Sequence, residues 1–461
     1  MLIAFSLLTV TYFALWTLLR VVMVPAAAMF IWRHQRRHSQ RARALLDRLA
    51  SPPLVTVVVP AFNEELTVAD SVRGLLAMNY EAREIVVVND GSSDRTLDVL
   101  REAFQLVAAP IALAPHLPAM PVRNTYRSAV DPALIVIDKD NGGGKADALN
   151  AGINAASGTL VLVMDADTVL AADAVSRAVL VFLEDAATIA LGGNVSIING
   201  CRVEDGRIRE FGLPRNWLAR FQAVEYLRSF VLVRLASASR NAVFLISGAF
   251  GMFRRDALLA VGGFHRSAIA EDLDLTVRLQ RHFRARGTPF RIAFDPNPLG
   301  WTLAPEDLAS LRSQRLRWRR GLIDVLWRHR AMIGNPRYGI FGLAVLPYLA
   351  VFEGLGVLLE ISGYLVVTST ALIGLLDWRY WAAMLAASIF CGTSATLLAV
   401  IINDLTTRRF TRVRDFAFLM AVVAGENLGY LQLNSWWGCV GTVETIRGKT
   451  GWGAITRRTF S

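Results

Sequence analysis

The chain has 461 residues, 54% of them hydrophobic and only 19% charged, with 49 Lys and Arg against 38 Asp and Glu. Its mean hydropathy of +0.39 is too high for an ordinary soluble enzyme and points to membrane segments. The net charge of +11 fits anionic lipid or phosphorylated substrates. Nucleic acid is set aside because there is no arginine-rich tail and no zinc-finger spacing, and Cys201, Cys391 and Cys439 lie too far apart for a disulfide framework.

Residues 1–32 are almost wholly apolar, interrupted by Arg20 and Pro25, and "RHQRRHSQRAR" follows them. Because the positive charge comes after the apolar run, the segment reads as a retained transmembrane anchor, with the basic linker 33–54 in the cytoplasm.

Residues 55–300 read as an α/β domain. The β-branched runs "VTVVVPAFNEE", "EIVVVNDGSSD", "LIVIDKDNGGGK" and "TLVLVMDADT" alternate with helical patterns such as "KADALNAGINAA". Buried runs alternating with helices predict a mainly parallel sheet covered on both faces, with ligands beyond the carboxyl ends of its strands. Asn63, Glu64, Asp90, Asp94, Asp165 and Asp167 fall there.

"DNGGGK" lacks phosphate-loop spacing, since Ala146 follows Lys145. What is left is a lysine at a helix start, where backbone N–H groups and the cation suit an anion. In "MDADT" the spacing predicts Asp165 and Asp167 pointing the same way from a strand end. Paired carboxylates in an apolar surround need a neutralising cation, and Mg²⁺ or Mn²⁺ completed by the oxygens of a diphosphate fits. A capping Asp beside a turn Asp is the plainer alternative. In "AEDLD", Glu271 and Asp272 stand at a helix start, where acids also serve simply as caps.

"SQRLRWRRG", Ser313–Gly321, packs four arginines, a glutamine and a tryptophan into nine residues. Gln314 and Trp318 lie one helical turn apart on one face. Trp318 offers a flat amphipathic face to a sugar, although a basic interfacial helix with a Trp anchor has the same composition. Arg315, Arg319 and Arg320 are expected to face anionic lipid or water.

Beyond the interfacial segment 301–335, the apolar region 336–440 predicts at least one span in 341–376 and another in 380–402. The stretch 416–433, which contains Glu426 and Asn427, reads as a re-entrant or channel-facing piece before a cytoplasmic tail, 441–461. Glu353, Glu360 and Glu426 are acids inside apolar sequence, where they face protein or water or pair at the interface.

Taken in order, "PAFNEE", "NDGSSD", "GGKADALN", "DAD", "SGAFGMFRRDAL", "AEDLDLTVRLQ" and "QRLRW" resemble the motifs of processive, membrane-embedded family 2 glycosyltransferases. That group includes bacterial poly-N-acetylglucosamine, cellulose and hyaluronan synthases. The departures are "ND" where many members have "DD", Ala270 where a Thr is usual, and a longer stretch from Pro110 to Lys145.

The resemblance implies a GT-A-like α/β fold with flanking, interfacial and transmembrane helices. It implies an inverting, metal-dependent transfer from a UDP-sugar (UDP-GlcNAc or UDP-Glc) to a growing β-linked glycan acceptor at the cytoplasmic face of the plasma membrane. Carried over position by position, Pro60, Asn63, Glu64, Asp90, Lys145 and Asp165 bind the donor, with Asp90 at the nucleobase. Asp167 holds the metal, Asp272 is the base and Glu271 supports it. Gln314, Arg317 and Trp318 meet the acceptor and the diphosphate, which a planar guanidinium suits. Lipid and accessory export proteins are the implied partners. The tail "RGKTGWGAITRR" is similar to C-terminal stretches in some of these enzymes and reads either as a cover for the donor site or as a cytoplasmic end. Two other functions stay open: a single transfer to a lipid or short glycan, and a catalytically idle membrane receptor or scaffold.

Overall fold

The computed structural model describes residues 51–374, 377–407, 413–449 and 459–460, with scattered positions between 11 and 29. Most of the expected N-terminal anchor, linker residues 33–50 and tail residues 450–458 lie outside the described residues.

The first half carries strands β1 (Val55–Ala61), β2 (Arg83–Asn89), β3 (Leu106–Ala108), β4 (Val122–Ser128), β5 (Leu134–Lys139) and β6 (Leu160–Val163). After them come β7 (Thr168–Leu170), β8 (Thr188–Ile197), β9 (Arg202–Glu204), β10 (Arg207–Glu210), β11 (Gly251–Arg254) and β12 (Arg291–Thr302). Among the described residues ten of these form one sheet in the order β3-β4-β5-β2-β1-β6-β11-β8-β12-β7, and β9 and β10 pair separately. The strands β5, β2, β1 and β6 are parallel, with Val57 level with Ile85 and Leu162, and Val87 level with Val136. Their carboxyl ends therefore share one edge of the sheet, which places Ala61, Asn89, Lys139 and Val163 side by side.

The sheet is mixed, whereas the apolar runs alone suggested mainly parallel pairing. β8 and β12 run parallel, but β3, β4, β7 and β11 pair antiparallel to their neighbours. The reason is connection length: only residues 129–133 separate β4 from β5, too few for a crossover helix, so the chain must fold back. The long stretch before Lys145 thus resolves into a short edge strand, β3, and the strand beside it, "VRNTYRS", whose polar alternation hid it in an otherwise apolar domain.

Alternation along β1 divides the core in two. Val55, Val57 and Val59 pack with Val72 and Leu75 of α1 (Val68–Leu76) and Leu100 of α2 (Thr96–Phe104). On the other face Val58, Val86 and Val88 pack with Ala148, Leu149 and Ile153 of α3 (Lys145–Ala155). α4 (Ala174–Glu184) extends the first face, and Leu275 and Leu279 of α6 (Glu271–Arg286) extend the second.

Two further helices, α5 (Trp217–Arg228) and α7 (Leu308–Arg328), join this domain to an apolar helical region. Among the described residues one helical run, Phe341–Leu372, is long and apolar enough to cross a membrane. It is followed by α8 (Trp378–Thr407), α9 (Val413–Gly425) and α10 (Tyr430–Ile446). The stretch 416–433 is not continuous: α9 ends at Gly425, a turn holds Glu426 and Asn427, and α10 begins after Gly429, whose φ is +107°.

Arg315, Arg319 and Arg320 are buried, contrary to the expectation that they face lipid or water. Leu311 and Leu316 of α7 pack on Tyr430 and Trp437 of α10, so these faces of the helix never reach an outer surface. Arg315 makes two contacts to Glu225, at 2.6 and 2.8 Å, and Arg319 donates to the Glu353 and Gly354 carbonyls and to Thr442. The acids in the apolar region are paired likewise: Glu426 with Arg228 at 2.5 Å, and Glu360 with the Ser435 hydroxyl at 2.5 Å. An arginine pairs within such a bundle far more cheaply than it is buried alone.

Candidate active site

Two loops at the carboxyl edge are laced together. Asn63, at φ +55°, donates its N–H to Ser92 Oγ at 3.0 Å and accepts from Ser93 N at 2.8 Å through Oδ1. Glu64 is buried, with its N–H on Thr96 Oγ1 at 2.8 Å and its carboxylate accepting from the Thr67 hydroxyl at 2.9 Å. The expected donor-side residues Pro60, Asn63 and Glu64 therefore sit in a rigid bracket, with Pro60 next to last in β1 and level with Val88. Asp90 follows β2 directly and is buried against Lys139, the last residue of β5. Lys139 is fully buried and also lies 2.6 Å from Asp147. Neither Lys139 nor Asp147 stands out in the sequence, where both look like ordinary surface charges.

Lys145 is the first residue of α3, as its position before "ADALN" predicts. Its Nζ lies 2.5 Å from Asp165 Oδ1, 3.9 Å from Glu271 Oε1 and 3.1 Å from the Gly248 carbonyl oxygen. The same Gly248 donates its N–H to Asp272 Oδ2 at 3.1 Å, and Leu273 N donates to Asp272 Oδ1 at 2.8 Å. Gly248 thus bridges the cation and the carboxylate through the backbone of one residue. A Cβ there would stand 2.6 Å from Lys145 Nζ, so a larger residue would push the ammonium aside from this position. Lys145, Asp165, Glu271 and Asp272, far apart in sequence, converge here.

The electrostatics follow from burial and charge. Burial, reinforced by the neighbouring Asp272, pushes Glu271 up to about 7, and Lys145 and Arg317 only partly offset this. Burial lowers the Lys145 ammonium, but Asp165, Glu271 and Asp272 outweigh it and hold the group above its ordinary value. Asp274, the last acid of "AEDLD", belongs to the scaffold: it is buried, 2.7 Å from Arg278 and 3.0 Å from His329. Ala270 precedes Glu271 and packs on α7 at Gly321, where a Cβ would meet the Ala270 Cβ at 2.5 Å. That contact explains the glycine closing "SQRLRWRRG".

Asp165 and Asp167 do not project in parallel from a strand. They occupy the turn between β6 and β7; Asp165 meets Lys145, while Asp167 Oδ1 accepts from Thr302 Oγ1 at 3.3 Å. Strand alternation stops at Val163, so the two-residue spacing no longer dictates a shared direction. Among the described residues no group of three or more His, Cys, Asp or Glu gathers to hold a metal with protein ligands alone. A carboxylate at a turn, open to a substrate diphosphate, fits a hard cation completed by substrate oxygens and water.

On α7, Trp318 is 40% exposed and its ring lies 4.5 Å from the Arg315 guanidinium carbon. Gln314 Oε1 is buried and takes no hydrogen bond from any described residue. The α5 wall went unread in the sequence. Glu225 binds Arg315 and accepts from the Tyr430 hydroxyl at 2.7 Å, and burial raises the Tyr226 hydroxyl to about 12. A π-helical turn, Ser229–Arg234, follows; Arg234 is buried 3.5 Å from the Phe230 ring centre, and burial lowers it to about 10. Its only sequence signal is the density of charge within "EYLRSFVLVR". At the other end of the chain, Phe460 is buried beside Val169, Ile198, Cys201 and Trp301.

Comparison with known proteins gives the family and the fold. A model described as glycosyl transferase family 2 matches residues 56–261. The poly-beta-1,6-N-acetyl-D-glucosamine synthase of Staphylococcus aureus strain COL is 30% identical over 274 residues, 59% of this chain and 56% of that one. The match thus spans little more than half the length of that relative. The Staphylococcus epidermidis protein of the same name is 26% identical over 357 residues, 77% of this chain and 74% of that one. Among solved structures, a mannosyltransferase from Pyrobaculum calidifontis in complex with GDP-Man and Mn²⁺ superposes with a TM-score of 0.54 at 19% identity, covering 93% of this chain and 99% of that one. It shares the GT-A-like fold. A model described as glycosyl transferase family group 2 matches residues 160–424, more than half of the chain, which therefore belongs to that family and is a glycosyltransferase.

Proposed function

We propose that this glycosyltransferase is an inverting, metal-dependent polymerase. It moves a sugar from a UDP-sugar, UDP-GlcNAc or UDP-Glc, to the growing end of a β-linked polysaccharide at the cytoplasmic face of the plasma membrane, processively and with export. The observation that carries the proposal is the Gly248 bridge: its carbonyl accepts from Lys145 and its N–H donates to Asp272, so a cation for the leaving group and a carboxylate for the acceptor stand either side of one residue.

In the transfer, the acceptor hydroxyl oxygen bonds to the sugar's anomeric carbon and the bond from that carbon to the diphosphate oxygen breaks. The bonding pair leaves with UDP, and the acceptor proton passes to Asp272. Backbone N–H groups of Gly248 and Leu273 aim the Asp272 carboxylate. A positioned base of this kind contributes typically about 10²- to 10⁴-fold. Lys145 and Arg317 offset charge on the departing diphosphate, and Asp165 orients Lys145. Asp167 is the residue that would hold Mg²⁺ or Mn²⁺, which supplies Lewis acidity toward the phosphate oxygens when bound. Asp90, Glu64, Asn63 and Pro60 shape the nucleoside pocket, while Trp318 and Gln314 hold the acceptor.

Membrane embedding is supported by the run Phe341–Leu372 and by the paired acids of the apolar region. In that arrangement residues 1–32 anchor the chain, 55–300 form the catalytic domain with β12 ending just beyond at Thr302, 301–335 lie at the interface and 336–440 enclose the exit path. Incubating the purified chain with each radiolabelled UDP-sugar and Mg²⁺ or Mn²⁺, then sizing the product, tests the reading. Metal-dependent long polymer is expected; products of one added sugar would replace processive synthesis with single transfer.

A further inference from the structure

Lys139 is among the largest fully buried side chains of the described residues, and it is paired with Asp90. A buried ammonium is costly unless fully paired, and this one is. It donates to Asp90 Oδ1, lies 2.6 Å from Asp147 Oδ2 and donates to the Asp140 carbonyl at 2.6 Å. Asp147 is fixed in turn by Met120 N, 3.1 Å from both of its oxygens, and by Arg266 Nε at 2.7 Å. The lysine therefore cannot swing away. Gly142 N also donates to Asp90 Oδ1, at 3.1 Å. Both donors use the same oxygen, and Asp90 Oδ2 takes no hydrogen bond from any described residue.

We infer that Lys139 sets nucleobase selectivity, because by occupying Asp90 Oδ1 it leaves one oxygen, Oδ2, for the base. The inference rests on the proposed placement of Asp90 at the nucleobase. A free carboxylate presents two acceptors and pairs with the adjacent N1–H and N2–H donors of guanine. A carboxylate pinned on one side presents one acceptor, which matches the single N3–H of uracil. It leaves a guanine donor unpaired and sets an oxygen against the N3 lone pair of cytosine. A site built around one hydrogen bond rejects bases that cannot complete it. The pocket thus takes a uridine diphosphate through a device that no single carboxylate motif reveals.

Calorimetry on the full chain in detergent, titrating UDP, CDP and GDP with Mn²⁺, tests this through Asp90→Asn. Lys139 and Gly142 are donors, so they hold the amide oxygen on their side and turn Nδ2–H₂ toward the base. UDP is expected to weaken at least tenfold and CDP to tighten, inverting their order. If Asp90→Asn keeps UDP within threefold while Asp90→Ala loses it, the amide is free to flip and the lock by Lys139 is overturned, although Asp90 still meets the base. If Asp90→Ala also keeps UDP within threefold, the placement of Asp90 fails and the inference with it. Lys139→Met should shift the GDP-to-UDP affinity ratio at least tenfold toward GDP, and an unchanged ratio in the folded variant overturns the proposal. Should that variant not fold, the Asp90→Asn measurement decides alone.

Discussion

Replacing Glu271 with Gln removes a carboxyl group that the fold holds at a cost. Burial and the charge of Asp272 raise it from 4.5 to about 7, which corresponds to about 3 kcal/mol of disfavoured ionisation. Between these values the folded chain keeps a proton that the unfolded chain has released. Stability therefore falls as pH rises from about 4.5 through 7, and the full cost is present above 7. Glutamine has the same shape and cannot ionise, so the variant escapes that loss. Melting curves in detergent should nearly coincide at pH 5. At pH 8.5 the variant should melt higher by about 6 °C or more, taking about 2–4 °C per kcal/mol for a domain of this size. A gap of equal size at both pH values would refute the reasoning, since it would show that Glu271 does not titrate between the folded and unfolded states in this range.

Asp167→Asn should weaken metal-dependent UDP binding at least tenfold, and calorimetry with and without Mn²⁺ would show it; unchanged metal dependence would put the cation elsewhere. Trp318→Ala should spare UDP binding and slow donor hydrolysis while reducing elongation at least tenfold, because the acceptor is no longer held in line. Normal polymer length from a stable variant would make Trp318 a membrane anchor instead. Arg315→Met should destabilise the helical region by about 3 kcal/mol by stranding Glu225, and Arg315→Met with Glu225→Gln should recover part of it. Equal melting of the single and double variants would mean that the pair carries no coupling.

Wherever a local pattern and its partner shared one element, the sequence was sufficient. The apolar β1, β2, β5 and β6 and the lysine opening α3 all stand where periodicity placed them. Antiparallel β4 was hidden because "VRNTYRS" lies next to the edge of the sheet with exposed polar residues, which resembles a loop until its neighbours are known. Asp165 and Asp167 were misread because alternation holds only inside a strand, and theirs ends at Val163. The arginines of α7 looked like lipid-facing charge because their partners, Glu225 and the Glu353 carbonyl, lie 90 and 34 residues away in sequence. Lys139 and Gly248 were invisible for the same reason: the contacts that give them meaning join residues 49 and 103 positions apart in sequence.

The central claim is that Asp272 takes the acceptor proton at a site whose donor pocket stands without it. Wild type and Asp272→Asn, purified side by side, can be given radiolabelled UDP-GlcNAc and UDP-Glc with Mn²⁺, with UDP affinity measured on the same preparations. The account predicts that the variant binds UDP within about threefold of wild type yet transfers less than about one tenth as much sugar, as the loss of a general base implies. Transfer above that level with intact UDP binding would contradict it and move the base to another residue of the cleft.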